Sequence, residues 1–258
     1  MKNKLQITIV QANLHWKNKK QNLSHFTKLL TNVDVTDIII LPEMFNTGFC
    51  PKETFLAETM NGSTIKWMKS ISIQKKCAIA ATLMIREREK IYNRFVFINE
   101  ENEIFYYDKK HLFSLSDEDK YITNGDNLSI IKYKDWRICL QICYDLRFPV
   151  FSRNTSNYDL LIYSANWPIK RIDAWDTLIK ARAIENQCYT VGVNRIGLDG
   201  NNFSFPGHST ISDPMGKTIV AMNEAREQVA TISISKSRLL EIRKRYPFLA
   251  DRDNFTID

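Results

Sequence analysis

Along this chain of 258 residues, short apolar runs alternate with stretches whose apolar side chains recur at every third or fourth position. The first kind reads as buried strand, the second as amphipathic helix. Residues 5–11 read as a strand, and residues 22–30 carry Leu23, Phe26, Leu29 and Leu30 on one helical face. Residues 37–41 are a buried strand that Pro42 stops. Ser63 is placed to cap a helix bearing Ile65, Met68, Ile71 and Ile73. Residues 78–85 and 92–98 are strands, and Glu100-Glu101-Asn102 turns the chain back into a strand over 104–107. A polar loop over 114–126 holds the turn pair Asn124-Gly125.

Strands over 129–133 and 136–142 follow, and residues 148–157 are predicted to be helical, with Pro149 in the first turn. A strand over 160–164 ends at Ala165-Asn166-Trp167-Pro168. Ile172, Trp175, Leu178, Ile179, Ala183 and Ile184 mark the next helix. A strand over 189–194 leads into a loop over 197–207 rich in Gly, Asn and Asp. Short strands over 209–212, 218–222 and 228–234 precede a basic helix over 236–245. Helices alternate with strands in the outer parts, and hairpins lie between them. The pattern predicts an α/β fold with mixed sheets, and about a dozen strands point to two sheets packed face to face. No linker divides the chain, so one domain is expected over 1–258, with its core at about 5–234 and a helix and tail over 235–258.

Composition narrows the function classes. Lys and Arg number 36 against 29 Asp and Glu, a net charge of +7, but the basic residues are scattered. Without a basic tract interleaved with aromatics, nucleic-acid binding is not expected. No apolar run approaches the roughly 18 residues of a membrane span, and the start of the chain lacks the pattern of a signal peptide, so a cytoplasmic protein is expected. Cys50, Cys77, Cys139, Cys143 and Cys188 have no framework spacing and are expected to be thiols. The four histidines lie far apart, and neither a metal nor a cofactor is expected.

Three ionisable residues recur at one architectural place, directly after a predicted strand: Glu43, Lys110 and Cys143. Strand ends on one side of an α/β fold converge on a crevice, so these groups can meet. A thiol needs a base to become a nucleophile. Glu43 can take its proton. Lys110 can keep Glu43 ionised and donate to an oxyanion, although Lys109 beside it warns that it can equally be one of many solvated lysines. The backbone N–H of Tyr144 can be the second oxyanion donor. Each residue also has a structural reading: a turn carboxylate, a solvated lysine, a buried cysteine.

The surrounding segments are Leu41-Pro42-Glu43, Tyr107-Asp108-Lys109-Lys110-His111-Leu112-Phe113 and Cys143-Tyr144-Asp145-Leu146-Arg147-Phe148-Pro149. In that order they resemble the nitrilase superfamily of carbon–nitrogen hydrolases. Ala165-Asn166-Trp167-Pro168, residues 181–187 and Gly207-His208-Ser209 extend the resemblance over residues 5 to about 234. The form Cys-Tyr-Asp-Leu-Arg-Phe-Pro is most similar to the family's ω-amidase branch. The resemblance implies an α-β-β-α sandwich, a Glu-Lys-Cys triad, a homodimer, and hydrolysis of the terminal amide of small dicarboxylate monoamides such as 2-oxoglutaramate. It also implies a second glutamate in the loop after the lysine, best matched by Glu118.

For the substrate's remote carboxylate, Arg171 and Arg195 are the candidate receptors, while Arg147 is expected to pair with a nearby carboxylate as a structural residue. Phe49, Tyr144, Asn166 and Trp167 are candidate pocket residues. The competing readings are a carbamoylase or aliphatic amidase of the same family, and a non-catalytic binding protein on the same fold.

Overall fold

The computed structural model describes residues 3–256. Met1 and Lys2 of the predicted polar start, and Ile257 and Asp258 of the predicted tail, lie outside the described residues. In chain order the first elements are β1 (Lys4–Gln11), α1 (Lys19–Leu30), β2 (Ile38–Ile40), α2 (Ser63–Lys75), β3 (Ala78–Glu87), β4 (Lys90–Ile98) and β5 (Ile104–Asp108). Next come α3 (Glu118–Tyr121), β6 (Ser129–Tyr133), β7 (Trp136–Ile142), β8 (Leu160–Ala165), α4 (Ile172–Asn186) and β9 (Tyr189–Asn194). The chain continues through β10 (Ile196–Leu198), β11 (Ser204–Pro206), β12 (Thr210–Ser212), β13 (Thr218–Ala221), β14 (Gln228–Ser235) and α5 (Lys236–Arg245).

Two six-stranded mixed sheets result, in the orders β14-β1-β2-β3-β4-β5 and β13-β12-β9-β8-β7-β6. Strands β1, β2 and β3 run parallel in the first sheet, and β7, β8 and β9 in the second. The inner faces meet in one core: Ile7, Ile9, Ile38, Ile40, Phe95 and Phe97 pack with Ile138, Leu140, Ile142, Ile162, Val191 and Val193. Residues one position along face outward. Ile39, Leu41, Ile79 and Ala81 lie under Phe26 of α1 and Met68 of α2. Leu161 and Tyr163 lie under Trp175 and Ile179 of α4. The central strands are therefore buried on both faces, which is why they read as continuous apolar runs rather than as alternation. The layers form the expected α-β-β-α sandwich. Helix α4 comes close because β9 carries Gly192, where an added Cβ would lie 2.6 Å from the Trp175 ring.

Four local expectations are corrected. Residues 148–157 form no α-helix. A 3-10 helix, Cys143–Arg147, follows β7 directly, and turns carry the chain on to β8. Side chains compete with helix there: Asn154 accepts from the Tyr158 N–H and donates to the Tyr158 carbonyl, while its own N–H donates to Asn186 Oδ1. Ser63 is the first helical residue rather than the cap; the Glu58 carboxylate accepts from the Thr64 N–H at 2.9 Å, completing that helix start. The loop over 114–126 contains α3, and the loop over 197–207 contains the β10–β11 hairpin.

Among the described residues no helix is long and apolar enough to cross a membrane, and no cluster of His, Cys, Asp or Glu side chains is arranged to hold a metal ion. All five cysteines are free.

Candidate active site

Cys143 opens the 3-10 helix at the carboxyl end of β7, with a backbone φ of +42°. A side chain other than glycine's pays about 1–3 kcal/mol for such a conformation. The surroundings hold it: Asp145 accepts from the Ile142 N–H at 3.0 Å, just before the corner. The turn lifts the thiol into a cavity of about 520 Å³ shared with Glu43 and Lys109. Cys143 Sγ lies 3.8 Å from the Asn166 carbonyl oxygen. Burial pushes this thiol well above the usual cysteine range, Glu43 beside it acts in the same direction, and Lys109 opposes them. A thiol so placed needs a base beside it if it is to act as a nucleophile. Tyr144 supplies a backbone N–H from the first helical turn, where such groups lack an intrahelical acceptor.

Glu43 follows β2 in the opposite sheet and is fully buried. Its Oε2 accepts from the Asn166 backbone N–H at 2.9 Å. Its Oε1 accepts from Asn93 Nδ2 at 2.8 Å and from the Lys109 ammonium at 3.2 Å. The two sheets are stitched together at this level. Ser164 Oγ donates to the Leu41 carbonyl at 2.7 Å, and Asn166 Nδ2 donates to the Glu43 carbonyl at 2.6 Å. The segment carrying Glu43 is thus fixed to the end of β8, the parallel neighbour of the strand that leads into Cys143.

The lysine expectation is corrected. Lys109, not Lys110, enters the site. Its side chain is 1% exposed and its ammonium reaches Glu118 Oε2 at 2.8 Å as well as Glu43. Lys110 is 26% exposed, points into a different surface hollow and stands 3.7 Å from Asp126. The reason is the two-residue period of extended chain. Tyr107 on β5 faces the core between the sheets, so Lys109, two positions on, faces the same way. Burial opposes the Lys109 charge, but the Glu118 and Glu43 carboxylates lift its affinity for the proton above the ordinary lysine range.

Glu118, at the start of α3, is fully buried and meets Lys109 from the other side. Its Oε2 also accepts from the Phe113 N–H at 2.7 Å. Burial raises its proton affinity above the usual carboxylate range, with Lys109 opposing. Asn93 on β4, which sequence reading passes over, joins the group through Glu43 and Glu118. The signal available for it was a polar pair, Asn93-Arg94, inside a strand whose other residues over 91–98 are aliphatic or aromatic.

Phe49, Tyr144, Asn166, Trp167 and Arg171 line the cavity as expected; Arg195 does not. Arg195 is fully buried, donates to the carbonyls of Ile196 and Leu198 and to Asn13 Oδ1, and stacks over Phe205. Burial lowers its pKa to about 10. It ties down the hairpin. Arg147 is the second correction among the cations. It has no carboxylate partner among the described residues; it lies over the Trp167 ring at 5.0 Å and lines the cavity. Arg171 lies over Phe113 at 5.1 Å, also without a carboxylate, and burial lowers its proton affinity. The cavity thus has a floor of the Cys143 thiol, the Lys109 ammonium and the Glu43 carboxylate, with Glu118 behind the ammonium, and a wall bearing two guanidinium groups that have no carboxylate partner among the described residues.

Comparisons with known proteins bear on this geometry. A family model for carbon-nitrogen hydrolases matches residues 6–244. The chain is 37% identical to the omega-amidase YafV of Yersinia enterocolitica over 255 residues, covering 98% of both chains. It is 33% identical to the 2-oxoglutaramate amidase of Bacillus subtilis over 220 residues, covering 83% of this chain and 84% of the other. In three dimensions it is similar to XC1258 of Xanthomonas campestris, a CN-hydrolase superfamily protein whose crystal structure has an arsenic adduct in the active site. The TM-score is 0.96 at 36% identity, covering 99% of both chains.

Proposed function

The chain belongs to the carbon-nitrogen hydrolase family, and from that premise we propose that it is an ω-amidase whose triad is Glu43, Lys109 and Cys143. The observation that carries the reading is the Lys109 ammonium held between the Glu43 and Glu118 carboxylates in the cavity that contains the Cys143 thiol.

In the reaction, Cys143 Sγ attacks the amide carbon while Glu43 takes the thiol proton. The oxyanion is received by Lys109 and the Tyr144 N–H. Glu43 passes its proton to the departing nitrogen, ammonia leaves, and a thioester remains on Cys143. Water enters, Glu43 takes its proton, and the acid departs as the thiol is restored. Glu118 keeps the Lys109 ammonium aimed at the oxyanion position. The paired charges on the floor suit a neutral amide. The guanidinium groups of Arg171 and Arg147 suit a carboxylate at the other end of the same molecule. Phe49, Tyr144 and Trp167 enclose the short carbon chain between them.

The substrate class is a small dicarboxylate monoamide, with 2-oxoglutaramate and succinamate as members. The relatives' names support this choice. A carbamoylase or aliphatic amidase shares the floor, but a simple aliphatic amide leaves both arginines without a partner. Two copies of the chain, acting in the cytoplasm, complete the reading, and light scattering measures the first of these.

Ammonia release from 2-oxoglutaramate, succinamate, N-carbamoyl amino acids, simple amides and nitriles tests it. Fastest turnover on the two monoamides, lost in Cys143→Ala, is the expected result. Preference for a carbamoyl amino acid or an uncharged amide overturns the substrate assignment, and full activity in Cys143→Ala overturns the mechanism.

A further inference from the structure

Asn93 Nδ2 and Lys109 Nζ lie between the same two oxygen atoms. Glu43 Oε1 is 2.8 Å from the Asn93 nitrogen and 3.2 Å from the lysine nitrogen. Glu118 Oε1 is 3.1 Å from the first and 3.2 Å from the second. Donors and acceptors alternate around a closed four-membered ring, wholly buried. We propose that Asn93 is a positioning residue: its amide group holds Glu43 and Glu118 apart, both ionised, around Lys109.

The need for it is electrostatic. Two carboxylates share one ammonium here, and all three groups are at most 1% exposed. Carboxylates so arranged tend to trap a proton between them, and a Glu43 that already carried a proton could not accept one from Cys143. Two N–H donors from one amide supply hydrogen bonds to both carboxylates without adding charge.

The orientation of the amide follows from the same ring. Turned over, Asn93 would set its carbonyl oxygen against two carboxylate oxygens. As it stands, Asn93 Oδ1 has no hydrogen-bond partner among the described residues. A buried acceptor left unpaired is a cost, and the residue bears it while both its donors are engaged at the site. The groups around this amide are Glu43 after β2, Glu118 on α3 and Lys109 after β5, with Cys143 after β7 beside Glu43 and Lys109. Arg94, its neighbour on β4, is turned away onto Asp108 and Glu87.

The inference rests on the reading of Glu43 as the base, and pH separates it from a merely structural role. Asn93→Asp keeps the shape and replaces two donors by a third carboxylate. Asn93→Leu removes the donors without adding charge, and Asn93→Ser keeps one. Losing donors favours the protonated carboxyl, so the acid limb of kcat/KM moves to higher pH, by about one unit or more in Asn93→Asp and less in Asn93→Ser. About tenfold of the activity lost near pH 6.5 then returns near pH 8.5. The pH dependence of Cys143 alkylation by iodoacetamide reads the same shift without substrate.

Activity that falls equally at every pH, with both acid limbs unmoved in the variants that fold, overturns the proposal. A shift in alkylation without a shift in turnover supports it and overturns the role given to Glu43 in turnover instead. Asn93→Ser is the least disruptive variant, and its unmoved limb alone suffices for rejection.

Discussion

Lys109 and Lys110 are neighbours in the chain whose ammonium groups serve different places: one closes a buried ring with Glu43 and Glu118, the other meets Asp126 at the surface. Everything proposed for the reaction depends on that difference. It also sets what each charge can do. Only the first is screened from water and stands beside the thiol, where a fixed cation stabilises developing negative charge most strongly.

Removing the Lys109 cation leaves two carboxylates buried without their counter-charge. Burial already raises the proton affinity of Glu118 above that of an unfolded carboxyl. In Lys109→Met the one cation opposing that shift is gone. A carboxyl whose folded affinity for the proton is raised gives stability at low pH that is lost as pH rises through the folded value. Urea unfolding of Lys109→Met from pH 5 to 8 is therefore expected to show stability falling with pH more steeply than in the wild type, by up to about 1.4 kcal/mol per unit per proton. Parallel curves for the two proteins contradict it.

Most strands, the four longer helices and the packing of two sheets were legible, the helices from their period and the central strands from continuous apolar runs. The candidate site was legible as a place, the carboxyl ends of strands, rather than as a geometry. The lysine was misassigned because a strand's facing is decided by which neighbours reach the core. Residues 104–107, Ile-Phe-Tyr-Tyr, are apolar on both faces and hide their phase. Arg147 and Arg195 were exchanged for a similar reason. Whether an arginine meets backbone carbonyls or an open cavity depends on how the β10–β11 hairpin folds back for Arg195 and on the remote Trp167 ring for Arg147. The helix expected after Cys143 failed because Asn154 offers the backbone better partners than a helix does.

The two arginines on the cavity wall make a prediction about selectivity. Arg171→Met is expected to lower kcat/KM for succinamate about 30-fold, the equivalent of about 2 kcal/mol for one charged hydrogen-bonding partner. Most of the change falls in KM. Turnover of an uncharged amide such as propionamide changes little. Arg147→Met behaves alike, whereas Arg195→Met lowers thermal stability first. Equal losses on charged and uncharged amides in Arg171→Met contradict the assignment.

The thioester makes a prediction that mass spectrometry reads. A wild-type sample quenched in acid during turnover of succinamate is expected to carry the succinyl group on the peptide containing Cys143. Cys143→Ala carries none and releases no ammonia. Acylation of Cys50, which also lines the cavity, contradicts the choice of nucleophile.

Packing between α4 and the second sheet makes a prediction independent of chemistry. Gly192→Ala places a Cβ 2.6 Å from the Trp175 ring and 2.8 Å from Ile179 Cδ1. Both side chains are fully buried, so the strain is expected to cost about 1–3 kcal/mol, read as a lowered Tm. An unchanged Tm contradicts the close approach.

The most direct measurement compares Lys109→Met with Lys110→Met in one ammonia-release assay on succinamate. Loss of an oxyanion donor in such a site costs about 10²- to 10³-fold. The expected result is a fall of at least that size in kcat for Lys109→Met, with Lys110→Met close to the wild type. Loss of turnover in Lys110→Met, with Lys109→Met still active, contradicts the account at its centre.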